Sequence, residues 1–215
     1  IIIYVDNYHY MKSIGFFGDS FCASNQPESW CNILQEKLGC SRPRWFGKPG
    51  KSIWGTIFDY NKLIKEDRVP DVSVFCWTEP YRLYHPKLVL SANTKPLEGV
   101  DPNVYKTLDN YWKHLHSYEK DELCYEYALK YFDQHVLSKL DKQIVQLWSF
   151  RPFETRNIDA NIHLTTGTFI DLSMFTFSKD RGSEYGWGPG YINHMTVEQN
   201  KEWADKVYDH VSRNI

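Results

Sequence analysis

Short apolar runs alternate along the chain with segments whose apolar residues recur at helical spacing. The runs predict buried strands at 13–17, 44–46, 72–77, 144–148 and 168–172. The helical spacing predicts helices at 27–38, 53–65 and 109–140, the last in two pieces with a break near 116–120, and a final helix that opens at Thr196. The stretch 80–104 holds four prolines, and 182–190 is rich in glycine, so both are predicted to be loops.

Strands that alternate with helices are typical of right-handed βαβ units with a parallel sheet covered on both faces. We therefore predict a three-layer α/β/α sandwich with a flavodoxin-like sheet of about five strands. Residues 11–215 are expected to form one domain, because no repeat, low-complexity segment or long linker divides them. Residues 1–10 are expected to be an N-terminal extension that lies outside this domain.

The charge and the composition of the chain exclude several classes of function. The formal net charge is −2 and the basic residues are scattered, so neither nucleic acid nor an anionic membrane is a predicted partner. No apolar run approaches the roughly 18 residues of a transmembrane helix. The apolar N-terminus lacks a basic leader, so we expect a cytoplasmic protein, or one without a recognisable signal peptide. The five cysteines are odd in number and contain no C-x-x-C pair, which favours a reducing compartment and indicates no metal site.

Three predicted strands end in residues that could form one site. Gly18-Asp19-Ser20 follows the first strand, Gly50-Lys51-Ser52 follows the second, and Trp77-Thr78-Glu79 ends the third. His194 stands just before the final helix. Because the carboxyl ends of parallel strands meet at one edge of the sheet, these groups should converge there. A serine hydroxyl needs a neighbouring base to become a nucleophile, and an imidazole can take its proton.

These blocks resemble those of the GDSL (SGNH) hydrolase superfamily, and the resemblance runs from Ile14 to Val211. It implies a serine esterase that works through an acyl-enzyme on Ser20, with His194 as general base and no metal or cofactor. It also implies an oxyanion hole made by the N–H groups of Ser20 and Gly50 and by a third-block side chain, here Thr78.

Two positions depart from the family pattern. Thr78 stands where the third block has an asparagine, and a hydroxyl reaches less far than a carboxamide. Tyr191 stands where the family has the aspartate that orients the histidine. Three carboxylates could replace that aspartate from elsewhere in the chain: Asp171, Asp180 and Glu184. A backbone carbonyl in a Ser–His dyad is the alternative.

Aromatic residues make up 16% of the chain, which together with the family analogy favours an O-acetylated carbohydrate as substrate. The expected partner is a small-molecule or carbohydrate ester. Four residues are candidates for substrate contacts: Trp77, Glu79, Arg82 and Trp187. Glu79 and Arg82 could instead form a surface ion pair. Two rival functions remain: a non-catalytic carbohydrate-binding or structural module on the same fold, and a lipid thioesterase or lipase.

Overall fold

The computed structural model describes residues 12–45, 47–85, 88, 90, 98–151, 162–179 and 191–212. Its five strands are β1 (Ser13–Gly18), β2 (Ser41–Trp45), β3 (Val72–Trp77), β4 (Gln143–Trp148) and β5 (Thr168–Ser173). They form one sheet in the order β2-β1-β3-β4-β5, and every neighbouring pair is parallel. This is the flavodoxin-like order, so the predicted sheet is confirmed.

Six helices accompany the sheet in the described part of the chain. They are α1 (Trp30–Lys37), α2 (Ile53–Lys65), α3 (Pro102–His114), α4 (Tyr118–His135), α5 (Met174–Lys179) and α6 (Val197–Ser212). Successive residues of a strand point to opposite faces. Phe16 accordingly packs in one core with side chains of α1 and α6, and Phe17 packs in the other with those of α2 and α4. The predicted three-layer sandwich is therefore confirmed.

Side-chain caps fix where several helices begin. The Ser29 side chain accepts from the N–H of Asn32, so α1 begins at residue 30 instead of the predicted 27. The predicted break before α4 is confirmed, because Ser117 caps that helix. At α6 the predicted capping box is present: Thr196 accepts from the N–H of Gln199, and Gln199 accepts from the N–H of Thr196.

Other elements differ from the prediction as well. Helix α3 begins at Pro102, inside the stretch predicted as a loop, because Asp101 caps it and proline suits the first helical position. Helix α5 was not predicted. Strand β2 begins at Ser41 instead of 44 and contains Pro43, which an edge strand tolerates because one side of its backbone needs no ladder partner.

Residues 1–10 lie outside the described residues, so the N-terminal extension and the single domain stay predictions. Within the described ranges, no helix combines the length and the apolar character needed to span a membrane.

Gly18 lets β1 and β3 approach each other at the edge where the candidate site lies. A Cβ added at Gly18 would stand 2.4 Å from the carbonyl oxygen of Cys76 and 2.8 Å from its Cβ. Any side chain there would push the two strands apart. The position of the turn that follows β1 therefore depends on this glycine.

Asp71 joins the starts of three strands at the opposite edge. Its carboxylate accepts hydrogen bonds from the N–H and hydroxyl of Ser13 and pairs with Lys142 at 2.9 Å. Burial raises the pKa of Asp71, but these hydrogen bonds and the Lys142 charge outweigh burial and hold the pKa well below its usual value. A carboxylate whose pKa is lowered by folding stabilises the folded state above its unfolded pKa, and this contribution is lost as the pH falls.

We expect Asp71→Asn to lower the free energy of unfolding at pH 7 by about 1–2 kcal/mol, because charge-assisted hydrogen bonds are weakened. Urea unfolding from pH 7 downward should show the difference from wild type shrinking below about pH 4, where unfolded aspartate takes up its proton. The control is Asp109→Asn, whose partner Lys113 is exposed, and it should change stability little. A pH-independent difference would contradict the linkage.

Candidate active site

Ser20 lies directly beyond the carboxyl end of β1. It is the first residue of a 3₁₀ turn, Ser20–Cys22, that Asp19 caps by accepting from the N–H of Phe21 at 3.1 Å. The side chain of Asp19 is short enough to make this local bond, which is why Gly-Asp-Ser turns sharply here. The Ser20 side chain is therefore held at the edge of the sheet where ligands bind in this fold.

His194 occupies a turn with an uncommon backbone conformation. Ile192 and Met195 close the turn with two backbone hydrogen bonds of 2.8 and 3.0 Å. Between them, Asn193 and His194 have φ values of 52° and 65°. This left-handed region costs a non-glycine residue roughly 1–3 kcal/mol and is found where surrounding contacts enforce it. Two consecutive residues of this kind therefore mark the turn as a functional candidate.

Two asparagines hold this turn in place. Asn193 Oδ1 accepts from the N–H of Ser24 at 2.8 Å, which ties the turn to the segment that follows Ser20. The fully buried Asn200 places its Nδ2 2.9–3.2 Å from the carbonyl oxygens of Ile192, Met195 and Thr196. Its Oδ1 accepts from the N–H at the start of α1 at 2.9 Å. These bonds supply the contacts that enforce the strained turn.

The structure brings together the two residues predicted to be catalytic. His194 Nε2 lies 2.7 Å from Ser20 Oγ, although the residues are 174 positions apart in the chain. Their exposed fractions are only 5% and 9%. The imidazole also packs against Phe21, with ring centroids 4.9 Å apart. A nucleophile and a base thus stand within hydrogen-bond reach in a nearly dry setting.

Beneath the pair lies a fully buried carboxylate, Asp19. Oδ1 accepts from the Phe21 N–H and from the Ser149 hydroxyl at 2.8 Å. Oδ2 accepts from the Thr78 hydroxyl and from Arg82 Nη1, both at 2.9 Å. Ser149 was not predicted; its position directly after β4 is the signal that could have found it. The network links the carboxyl ends of β1, β3 and β4.

This network corrects the role predicted for Thr78. A threonine hydroxyl has a single proton, and here that proton is donated to Asp19. An oxyanion would have to compete with a buried carboxylate for it. Thr78 is therefore a ligand of Asp19 in this structure instead of an oxyanion donor.

The loop that carries Gly50 packs against the turn that carries Ser20. The N–H of Lys48 donates to the carbonyl of Gly18 at 3.1 Å. A Cβ added at Gly47 would stand 2.2 Å from the carbonyl oxygen of Cys22, so only glycine permits this contact. The candidate oxyanion amides of Ser20 and Gly50 thus belong to two loops in direct contact.

Gly50 itself has a φ of 69°. It follows Pro49 in a four-residue turn that the Lys51 N–H closes by donating to Lys48. Proline at the second position and glycine at the third are typical of a type II turn. The local sequence therefore dictates the backbone geometry at the predicted oxyanion glycine.

Arg82 and Glu79 do pair, but not as a surface ion pair. Arg82 Nε lies 3.2 Å from Glu79 Oε1, and the Arg82 side chain is only 10% exposed. Its Nη1 binds the buried Asp19. Arg82 is therefore part of the floor of the site, and Glu79, 24% exposed, lies towards its rim.

The predicted tryptophan contacts are not supported. Trp77 is 1% exposed, stacks on Phe75 at 4.9 Å and donates its indole N–H to Gln146, so it is a core residue that a substrate does not reach. Trp187 lies outside the described residues.

Asp171, one of the three carboxylates that could have oriented His194, binds other partners. Asp171 Oδ1 accepts from the Trp148 indole at 3.0 Å and from Arg151 at 3.2 Å, and the Asp171 side chain is 62% exposed. The other two candidates, Asp180 and Glu184, lie outside the described residues. Among the residues that the structure describes, no group of three or more metal-ligating side chains is placed to hold an ion.

No protein-family model and no curated protein sequence matches the chain. Solved structures similar to it include two that align with it over nearly their whole lengths. One is a psychrotrophic esterase, EstA, from Pseudoalteromonas sp., at 12% identity and a TM-score of 0.47, covering 94% of this chain and 97% of the other. The second is a putative lipolytic protein of the G-D-S-L family from Desulfitobacterium hafniense, at 9% identity and a TM-score of 0.39, covering 95% and 99%.

We expect Asn200→Ala to lower the free energy of unfolding by about 2 kcal/mol, because it leaves buried carbonyl groups and the first N–H of α1 without their partner. Thermal or urea unfolding measures the loss. The control, Asn103→Ala, lies on the exposed side of α3 and should be near neutral. Equal stability of the two variants would show that the turn does not depend on Asn200.

Proposed function

We propose that this chain is a serine esterase in which Ser20 is the nucleophile and His194 is the general base. The observation that supports the proposal is the 2.7 Å contact between His194 Nε2 and Ser20 Oγ. The strained turn that carries His194 also supports the proposal, because backbone conformations of this kind cluster at active sites.

In the proposed reaction, His194 Nε2 takes the hydroxyl proton while Ser20 Oγ forms a bond to the carbonyl carbon of the ester. The tetrahedral intermediate then expels the alcohol, which receives that proton from the imidazolium, and an acyl-Ser20 remains. Water, deprotonated by His194, attacks the acyl carbon and releases the carboxylic acid, and the proton returns to Ser20.

The proposed oxyanion donors are the backbone N–H groups of Ser20 and Gly50. Each such donor is worth roughly 10²–10³ in rate. Since Thr78 donates to Asp19, these two amides have to act without the third-block side chain.

The proposed substrates are acyl esters of small molecules or carbohydrates. The carbohydrate part rests on the aromatic content of the chain and on family analogy, and the buried Trp77 adds nothing to it.

Ser20→Ala should abolish both turnover of p-nitrophenyl acetate and labelling by a fluorophosphonate probe, because the attacking oxygen is gone. The control, Ser138→Ala, removes an exposed hydroxyl and should behave as wild type. A Ser20→Ala variant that still labels would disprove the assignment. Wild-type protein that neither labels nor turns over would favour the non-catalytic module, and a rate that rises with acyl chain length would favour the lipase.

His194→Ala should reduce kcat by at least about 10²-fold, because proton transfer from the serine loses its base. In wild type, the rate should be lower at acidic pH, because only the neutral imidazole can accept the serine proton. Steady-state kinetics from pH 5 to 9 test this, and a flat profile with chemistry rate-limiting would count against the role.

Tyr191→Asp should raise kcat/KM if His194 works without an orienting carboxylate, since loss of that carboxylate in a triad can cost about 10⁴. Asp171→Asn is the control and should leave the rate unchanged, because Asp171 binds Trp148 and Arg151. Asp180→Asn and Glu184→Gln complete the series. If either reduces activity as severely as His194→Ala, a displaced triad exists and the dyad idea fails.

A further inference from the structure

One guanidinium contacts three of the segments that form the candidate site. Arg82 Nη1 lies 2.9 Å from Asp19 Oδ2, beside the nucleophile, and 3.5 Å from the carbonyl oxygen of Lys51, beside Gly50. Its Nε lies 3.2 Å from Glu79 Oε1, on its own loop after β3. The side chain therefore bridges the loops that carry the two proposed oxyanion amides.

Aromatic packing joins the same guanidinium to the base. Arg82 Cζ lies 5.4 Å from the centroid of the Phe150 ring, which packs edge-on against Phe21 at 5.4 Å. Phe21 in turn packs against His194 at 4.9 Å. A shift of the guanidinium would therefore displace the surroundings of both Ser20 and His194.

This bridge needs arginine and not merely a positive charge. A guanidinium presents five N–H donors in a rigid planar fork and can serve several acceptors at fixed angles, whereas an ammonium is a point charge on a flexible stem. Asp19 is fully buried, and Thr78 and Ser149 give it neutral donors, so Arg82 supplies the charge that compensates the carboxylate.

We propose that Arg82 is a positioning residue that holds the Ser20 turn and the Gly50 loop in register. The inference rests on the proposed esterase function. Arg82 then affects the transition state by holding the two loops in place, and it does not contact the substrate.

Arg82→Met should lower kcat for p-nitrophenyl acetate by roughly 10²-fold, the scale for a small misplacement of catalytic groups, with KM within about twofold of wild type. Arg82→Lys keeps the charge but loses the fork, and should recover only part of this loss. The matched control is Arg151→Met, which removes an arginine that follows β4, pairs with Asp171 and is 49% exposed; it should leave kcat unchanged.

Hydrogen exchange tests the bridge without any turnover. In Arg82→Met, the backbone amides of residues 18–23 and those of residues 48–52 should both exchange faster than in wild type. In Arg151→Met, both sets should exchange at the wild-type rate. Arg82→Met leaves the buried Asp19 charge uncompensated and could therefore fail to fold. In that case the double variant Asp19→Asn/Arg82→Met, which removes that charge, replaces Arg82→Met in the exchange experiment. Its reference is then Asp19→Asn instead of wild type.

Three results would overturn the proposal: unchanged exchange in either loop, full recovery of kcat by Arg82→Lys, or a raised KM with unchanged kcat, which would make Arg82 a substrate contact. Failure of the esterase function is a separate result, seen as wild-type protein that neither labels nor turns over. In that case the exchange experiment still decides whether Arg82 bridges the loops.

Discussion

A carboxylate without access to water, Asp19, is the charge around which the candidate-site edge of the sheet is arranged. An ion buried in the interior is costly unless partners surround it. Here a backbone N–H, two hydroxyls and a guanidinium do so, and they come from the ends of β1, β3 and β4. Each of these strand ends has to be in place for the carboxylate to be satisfied. The position of Ser20, the next residue, follows from that requirement.

The part of the site that contains His194 is a strained turn, and hydrogen bonds from neighbouring residues compensate the strain. His194 and Asn193 both adopt the left-handed conformation, which the isolated chain disfavours. Asn200 binds three carbonyl oxygens around the turn and the first N–H of α1. The imidazole therefore reaches Ser20 only because α1 and α6 pack side by side. Tertiary packing, and not local preference, brings His194 to Ser20.

The sequence permitted prediction of what depends on local pattern. Buried parallel strands are continuous apolar runs, so β3 was predicted at its observed bounds, and the order of strand ends brought Ser20 and His194 to one edge. The start of helix α3 was predicted at 109 instead of 102 because prolines in the preceding stretch indicated a loop, although Pro102 stands where a helix accepts proline. Thr78 and Trp77 were assigned by position alone. The direction of a side chain at a strand end depends on the neighbouring strands, and a single sequence does not contain that information.

The contact between Ser20 and His194 joins the turn that follows β1 to the turn that precedes α6. A contact between residues so far apart in sequence carries a loop-closure cost that has to be met before the contact can form. During synthesis at the ribosome, the sheet and five of the helices can emerge before α6 does. A chain whose α6 has not yet docked therefore has Ser20 without the imidazole that contacts it in the folded protein.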